Sequence, residues 1–409
     1  MTISFNIRFG SAALLGLALI ASPAGAQSLN GVWDATVTVN DLTVPFRIEL
    51  SGSGAGVKGS FFNGDERVTS TTGRFDNGSL MLTFSEYATT LEAALHDGVL
   101  EGRYDRGARG FYPFRAKRFS PSSATSDARV PSIAGLWNIQ VNSSKGEAAW
   151  RFIVQQAGPD VSAAILRVDG DTGTLSGTYR DGHFVLSHFS GARPSVLVIT
   201  LTPDGALDIV QNGQTRLLAV RADVAQAEGW PEPSDPARFT TVSDPSEPFR
   251  FSFPELDGGT VANTDARFSG KVVIVSISGS WCPNCHDEAP FLAELYRTYR
   301  QRGLEIVSLS FEEAEQLRNP TRLRAFVKRY QLEYPVLLAG EPQEVHERLP
   351  QAVNLTAFPT TFFIGRDGRV RGAHAGFASP ASGRFHAEVK AEIMANVERL
   401  LAESSPTSR

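Results

Sequence analysis

Apolar and polar positions follow two different patterns along the chain. Between residues 31 and 222, short runs such as Val37-Thr38-Val39 and Phe46-Arg47-Ile48-Glu49-Leu50 alternate with period two. That is the spacing of side chains on a half-buried strand. The turn pairs Asn77-Gly78, Asp97-Gly98, Asp181-Gly182 and Asp204-Gly205 separate such runs and suit tight hairpins. Helical periodicity is nearly absent here, so the pattern predicts antiparallel β structure. After residue 248 the pattern changes. Strands are predicted at residues 271–277, 304–309, 335–338, 361–365 and 370–373. Helices are predicted from the dicysteine motif to Tyr299, over 320–330, and over 384–401. Strands that alternate with helices and end in a hairpin, here at Asp367-Gly368, imply an α/β domain with a mixed sheet.

The β-patterned half reads as one unit repeated. Gly31-Val32-Trp33 recurs as Gly135-Leu136-Trp137, an offset of 104, and Gly73-Arg74-Phe75 recurs as Gly177-Thr178-Tyr179. Asn77-Gly78 and Leu82 recur at the same offset as Asp181-Gly182 and Leu186. Pro/Ser-rich breaks at 120–127 and at about 225–248 disfavour regular structure and mark boundaries. The expected organisation is a leader at 1–26, β domains at 28–120 and 133–222, an extended linker at 223–247, and an α/β domain at 248–403. Each β domain is expected to be a small barrel or sandwich. The opening Gly-x-Trp resembles the start of lipocalin- and avidin-like barrels, where a Trp closes one end against a late Arg; Arg118 and Arg221 are placed for that role. Otherwise Trp33 and Trp137 are plain core aromatics. His183 and His188 read as surface strand residues, since the first copy has no equivalents.

Arg8, an apolar run to Ala21 and the A-x-A site Ala24-Gly25-Ala26 have the form of a cleaved secretory signal, with an apolar stretch too short to span a bilayer. The expected location is periplasmic or otherwise extracytoplasmic, soluble, with no membrane span after cleavage. The formal net charge is −5 and no basic tract occurs, which argues against nucleic acid as a partner.

The chain has two Cys, and only Pro283-Asn284 separates them. A structural disulfide acts mainly by restricting a long loop of the unfolded chain, and this pair would restrict almost nothing. Cys282 and Cys285 are therefore chemical residues. Two chemistries fit Trp281-Cys282-Pro283-Asn284-Cys285-His286. As C-x-x-C-H it is a c-type haem attachment signature with His286 as axial ligand. As W-C-x-x-C it is a redox dithiol. At the start of a helix, unpaired N–H groups and the helix dipole favour the Cys282 thiolate as nucleophile, and Cys285 lies one turn on as resolver. The haem reading expects a helical domain and a second ligand well downstream, often Met. Here a Val/Ile strand precedes the motif, Pro290 interrupts the following helix, and the only later Met is Met394.

Trp281 before the first Cys, Pro290 five residues after the second, and Ala357-Phe358-Pro359-Thr360 before a strand together resemble the thioredoxin-like proteins of the TlpA/ResA type, over about residues 248–403. The resemblance implies a thioredoxin fold, thiol–disulfide oxidoreductase activity in the direction of reduction, and no cofactor or metal. It implies that Pro359 is a cis-proline facing the dithiol, with Trp281, Phe358, Pro359 and Thr360 contacting substrate. It also implies a segment inserted at about 319–341 and a Glu near its start that assists proton transfer. Glu312 aligns best with that position, as a candidate acceptor for the Cys285 proton or as a helix-start carboxylate. Glu288 matches another family position, read as structural or pKa-tuning. His286 is expected to face solvent, or to lower the thiol pKa as a cation. Implied partners are envelope protein disulfides and thiols, cytochrome c maturation among them, and a membrane electron donor of the DsbD type. Lower-ranked alternatives are a binding protein whose β repeats recognise a partner, and peroxiredoxin chemistry, which would place Thr-x-x-Cys at the helix start.

Overall fold

The computed structural model describes residues 28–121 and 130–403. The leader expected at 1–26 and most of the 120–127 break lie outside the described residues. Among the described residues, no helix is long and apolar enough to cross a membrane.

Each β-patterned stretch forms a nine-stranded antiparallel sheet in which the first strand lies beside the second and the last. Gly31–Val39 pairs with Leu42–Ser51 and Phe111–Arg118, and Gly135–Gln140 pairs with Ala149–Ala157 and Thr215–Arg221. Ser79–Phe84 and His183–His188 keep the offset of 104 read from the sequence. The second sheet closes on itself because Ala149–Ala157 also pairs with Asp160–Arg167, which pairs with Leu175–Arg180. The first sheet ends at Glu66–Thr69 and Thr72–Asp76 without closing. Its Lys58–Asn63 strand gives its free edge to the Glu66–Thr69 hairpin, so the pairing that closes the second sheet has no equivalent.

The two Trp residues do more than fill the cores. Trp33 pairs across the sheet with Arg118, whose guanidinium lies 5.0 Å from the ring centroid; Arg221 lies 4.0 Å from that of Trp137. Each indole N–H donates to a carbonyl four residues back, Leu29 O at 2.8 Å and Ile133 O at 2.9 Å. Each Arg in turn donates to the chain entering the first strand, at Asn30 O and Ala134 O. His188 departs from the expectation of a surface residue. It is buried, with its ring nitrogens on Thr174 O and Ser190 Oγ, because its strand faces the first sheet. Next to it Phe189 enters the first unit's core, 4.8 Å from Phe46.

The 223–247 segment is not a plain extended linker. It contains the helices Ala222–Ala227 and Pro236–Phe239, and Thr241–Val242 pairs with Ala352–Val353. Proline costs nothing at the first helical position, and the Asp235 carboxylate caps that turn by accepting from Ala237 N at 3.0 Å.

The C-terminal sheet runs Val336–Gly340, Leu304–Phe311, Val272–Ser278, Thr360–Ile364, Val370–Ala375; the first three strands are parallel and the last two antiparallel. All seven residues of Val272–Ser278 are buried, as a continuous apolar run requires when both faces are covered. Val272 and Ile274 pack on Leu292, Leu295, Ile393 and Val397, on the helix side. Val273, Val275 and Ile277 meet Phe249, Phe253 and Phe362 on the other face. The helix Pro283–Tyr299 begins just past this strand, with Cys282 as its N-cap.

The second β sheet docks on this domain through residues 168–172. Gly170 forms a parallel bridge with Phe377. A Cβ on Gly170 would lie 2.4 Å from Phe377 O, and one on Gly376 would lie 2.2 Å from Val168 O, so only glycines permit this approach. Asp171 is fully buried. Its carboxylate accepts from Ser379 N (2.7 Å), Ser379 Oγ (2.8 Å), Ser382 Oγ (2.6 Å) and Gly173 N (2.8 Å). Removing it leaves buried donors unpaired, at about 1–3 kcal/mol. Asp171→Ala is expected to accelerate hydrogen exchange at the Ser379 and Gly173 amides while amides of Val272–Ser278 stay protected. Unchanged exchange at Ser379 would show that the carboxylate does not hold the two units together.

Candidate active site

The strand ends at Ser278, a three-residue turn follows, and the helix opens at Cys282. Pro283 at the first helical position suits this start, where no intrahelical N–H bond is needed. Both thiols are free, and Cys282 is 4% and Cys285 2% exposed. The Phe358-Pro359 bond is cis, and as a thiol Cys282 donates to Phe358 O at 3.3 Å. Trp281 packs on Phe358 at 5.4 Å between centroids and donates to Phe311 O at 2.8 Å. Trp281, Phe358 and Pro359 thus gather at the dithiol. Thr360 does not join them as a substrate contact: it is fully buried, and its hydroxyl returns to Ala357 O at 2.8 Å.

The two sulfurs differ in acidity. Burial pushes the Cys282 thiol up, but a hydrogen bond from Cys285 and the Arg193 charge pull it down, to a net value below that of an ordinary thiol. Cys285 is pushed well above its usual range by burial, then by its bond to Cys282 and the nearby Glu288 carboxylate. The pair therefore sets a sulfur that favours the thiolate beside one that stays protonated.

Glu312 is not placed as the acceptor for the Cys285 proton. It is fully buried, and its oxygens accept from Ser280 N (2.7 Å), Ser280 Oγ (2.7 Å), Ser310 Oγ (2.8 Å) and Arg322 Nη2 (2.8 Å). Arg322 also bonds Ser280 Oγ at 2.8 Å and pairs with Glu313. A carboxylate so occupied holds the turn before Trp281-Cys282 in place; it has no lone pair in reserve. Glu288 is the carboxylate with the properties of a base. Three residues beyond Cys285, it lies on the same helical face. It is buried, accepts from Thr361 Oγ1 at 2.8 Å and Ser276 Oγ at 3.1 Å, and burial raises its pKa to about 7 despite these bonds.

His286 is buried, contrary to the expectation that it faces solvent. Its Nε2 lies 2.9 Å from Ser280 O, an acceptor only, so Nε2 carries the proton and Nδ1 accepts from Tyr330 OH at 2.9 Å. The ring stacks on Tyr87 of the first β sheet at 4.2 Å. Burial lowers its pKa to about 3, so it is neutral and supplies no cation to the thiolate. With both nitrogens committed, packing accounts for the His that completes the C-x-x-C-H match.

Three residues of the β half that the sequence did not single out reach this site: Tyr87, Asp169 and Arg193. Asn284 Nδ2 donates to Asp169 O at 2.5 Å, and Arg193 lines the same cleft as Pro283 and Asn284. Close to ninety residues of chain or more separate each of them from the dithiol, and no local pattern announces the contact.

The strand order, the helix-capping dithiol and the cis-proline opposite it define a thioredoxin-like domain at the C-terminus. Residues 245–373 match the family model described as AhpC/TSA family. The thiol-disulfide oxidoreductase ResA of Bacillus cereus (strain ATCC 10987 / NRS 248) is 33% identical over 122 residues, which are 29% of this chain and 62% of that protein. ResA of Bacillus subtilis (strain 168) is 28% identical over 130 residues, 32% of this chain and 66% of the relative. The chain thus spans a little under two thirds of the length of these relatives. A solved thiol:disulfide interchange protein of the thioredoxin family from Chlorobium tepidum TLS is 26% identical, with 40% of this chain and all of that one covered, at a TM-score of 0.30.

Arg322→Met would leave Glu312 as an unpaired buried charge, at a cost of about 3–5 kcal/mol. The expected result is a clear fall in the urea midpoint of the C-terminal domain, with Glu312→Gln less damaging because its amide oxygen keeps an acceptor for Ser280 N and Arg322 keeps Glu313 as a partner. Equal stability of wild type and Arg322→Met would remove the buried pair from the account.

Proposed function

We propose that this protein is an exported thiol–disulfide oxidoreductase that works as a reductase on protein disulfides of the cell envelope. The observation that carries this reading is the split dithiol, a lowered Cys282 and a raised Cys285 with Glu288 behind it, set against the Phe358-Pro359 cis bond. The similarity of residues 245–373 to thioredoxin-like domains supports the same class of chemistry. The leader-like residues 1–26 support export, and the reductive direction rests on the ResA resemblance.

The Cys282 thiolate attacks one sulfur of the substrate disulfide; that S–S bond breaks, a Cys282–substrate disulfide forms, and the first substrate sulfur leaves as a thiolate. Glu288 takes the Cys285 proton as Cys285 attacks Cys282 Sγ. The mixed disulfide breaks and the second substrate thiolate leaves; the Cys285 proton passes by way of Glu288 to one substrate sulfur, and the other takes its proton from water. Two electrons have moved from the Cys282/Cys285 dithiol to the substrate, leaving an enzyme disulfide. A dithiol donor, in this reading a membrane protein of the DsbD type, returns them by the same exchange. Apocytochrome disulfides are one substrate class that such a reductase serves. Placement of the β units against the dithiol favours one enzyme over a binding protein with an idle redox domain.

Cys282→Ser is expected to abolish reduction of insulin disulfides, and Cys285→Ser to accumulate the mixed disulfide; retained reduction by Cys282→Ser would overturn the mechanism. Glu288 is the base only when ionised, so the resolving step should quicken as pH rises through about 7. Glu288→Gln should slow that step by about a hundredfold and remove the inflection. An inflection that survives in Glu288→Gln assigns the proton to another group.

A further inference from the structure

The dithiol helix is completed from outside its own domain. Asn284, between the two Cys and 2% exposed, donates through Nδ2 to Asp169 O at 2.5 Å, while its Oδ1 has no hydrogen-bond partner. Gly170, the next residue, is pressed against the Asn284 side chain. Arg193 Nη1 donates at 2.6 Å to the carbonyl of Asp171, so the guanidinium and Asn284 are tied to the same short segment two residues apart. Arg193 also lines, with Pro283, Asn284 and Asp287, a cleft of about 500 Å³ between the two β units and the C-terminal domain. Its φ of +48° is left-handed, a conformation that an arginine rarely adopts and that persists only where the surroundings impose it.

We infer that Arg193, carried by the second β sheet, is a positioning residue of the dithiol, placing positive charge at the start of the Cys282 helix to hold that sulfur as thiolate. The inference rests on the reading of Cys282 as the nucleophile. The charged and titratable groups around the sulfur come from two sides. Its own helix brings Cys285, Asp287 and Glu288. The second β sheet brings Arg193, Asp169 and Asp171. Asp169 is neutralised by its ion pair with Lys145, and Asp171 is engaged by Ser379 and Ser382. The cis-proline loop contributes Phe358 and Pro359, which carry no charge. Arg193 bonds a carbonyl there, not a carboxylate, so that contact leaves its charge uncancelled. Its pull on Cys282 exceeds the opposing push of Asp169, the direction this arrangement requires.

The test uses the full chain with Cys285→Ser, which leaves Cys282 as the sole thiol. Thiolate absorbance in the ultraviolet is followed against pH with Arg193, Arg193→Asn and Arg193→Lys; Asn tolerates the left-handed φ. Arg193→Asn should raise the midpoint and lower the thiolate fraction near neutral pH by about threefold to tenfold, and Arg193→Lys should recover most of it. If Arg193→Asn undocks the segment, seen as faster exchange at the Ser379 amide, Arg193→Gln keeps a donor for Asp171 O without the charge and replaces it. A depressed midpoint in the parent that no neutral variant moves overturns this inference alone. A parent midpoint in the ordinary thiol range, with no disulfide exchange by the wild type, overturns the oxidoreductase reading beneath it.

Discussion

The governing constraint is a charge on a sulfur that has almost no water. Cys282 is 4% exposed, and burial alone drives a thiol toward its neutral form. The protein answers with donors and positive potential that need no solvent. The helix that starts at Cys282 offers unpaired N–H groups, and Cys285 donates from one turn on. Pro283 lets the helix begin there without losing a bond. Ser280 is held by Glu312 and Arg322, so the turn that carries Cys282 cannot drift. When Cys282 ionises it can no longer donate to Phe358 O, and that carbonyl becomes available at the moment the sulfur becomes nucleophilic.

The same constraint explains the position of the β units. The second sheet meets the dithiol domain through Gly170 and Asp171 and brings Asp169 and Arg193 to the motif. The first reaches it through Tyr87, stacked on His286. The two β units interlock as well, through Phe189 in the first core, Thr174 N on Asn63 Oδ1 at 2.8 Å and Tyr104 OH on Gly191 O at 3.0 Å. An arrangement in which three units share one buried site makes the sheets part of the redox environment.

Legibility in the sequence followed the range of the interactions. The central strand was readable because a run of Val and Ile in 271–277 has few other uses. The hairpin strands were readable from Asn-Gly and Asp-Gly turns, and the dithiol from two Cys and nothing else to pair them. The Trp–Arg contacts of Trp33, Trp137, Arg118 and Arg221 were one of two readings of these positions, the other being plain core aromatics. Residues whose role depends on three-dimensional neighbours were misread. Glu312 resembled a free acid until Arg322 and Ser280 closed on it. His286 resembled a surface residue because the rings that cover it are remote in sequence: Phe326, Tyr330 and, about two hundred residues earlier, Tyr87. Prolines in 223–247 resembled a linker, yet one of them starts a capped helical turn.

The central claim is that this buried pair is a reducing dithiol. Its reduction potential, measured by equilibrating the full chain with glutathione redox buffers, tests that claim most directly. Stabilising the thiolate strongly makes a dithiol oxidising, whereas here burial opposes the help that Cys282 receives. The account predicts a potential at the reducing end of the scale, near about −270 mV, and a value near about −120 mV would contradict it.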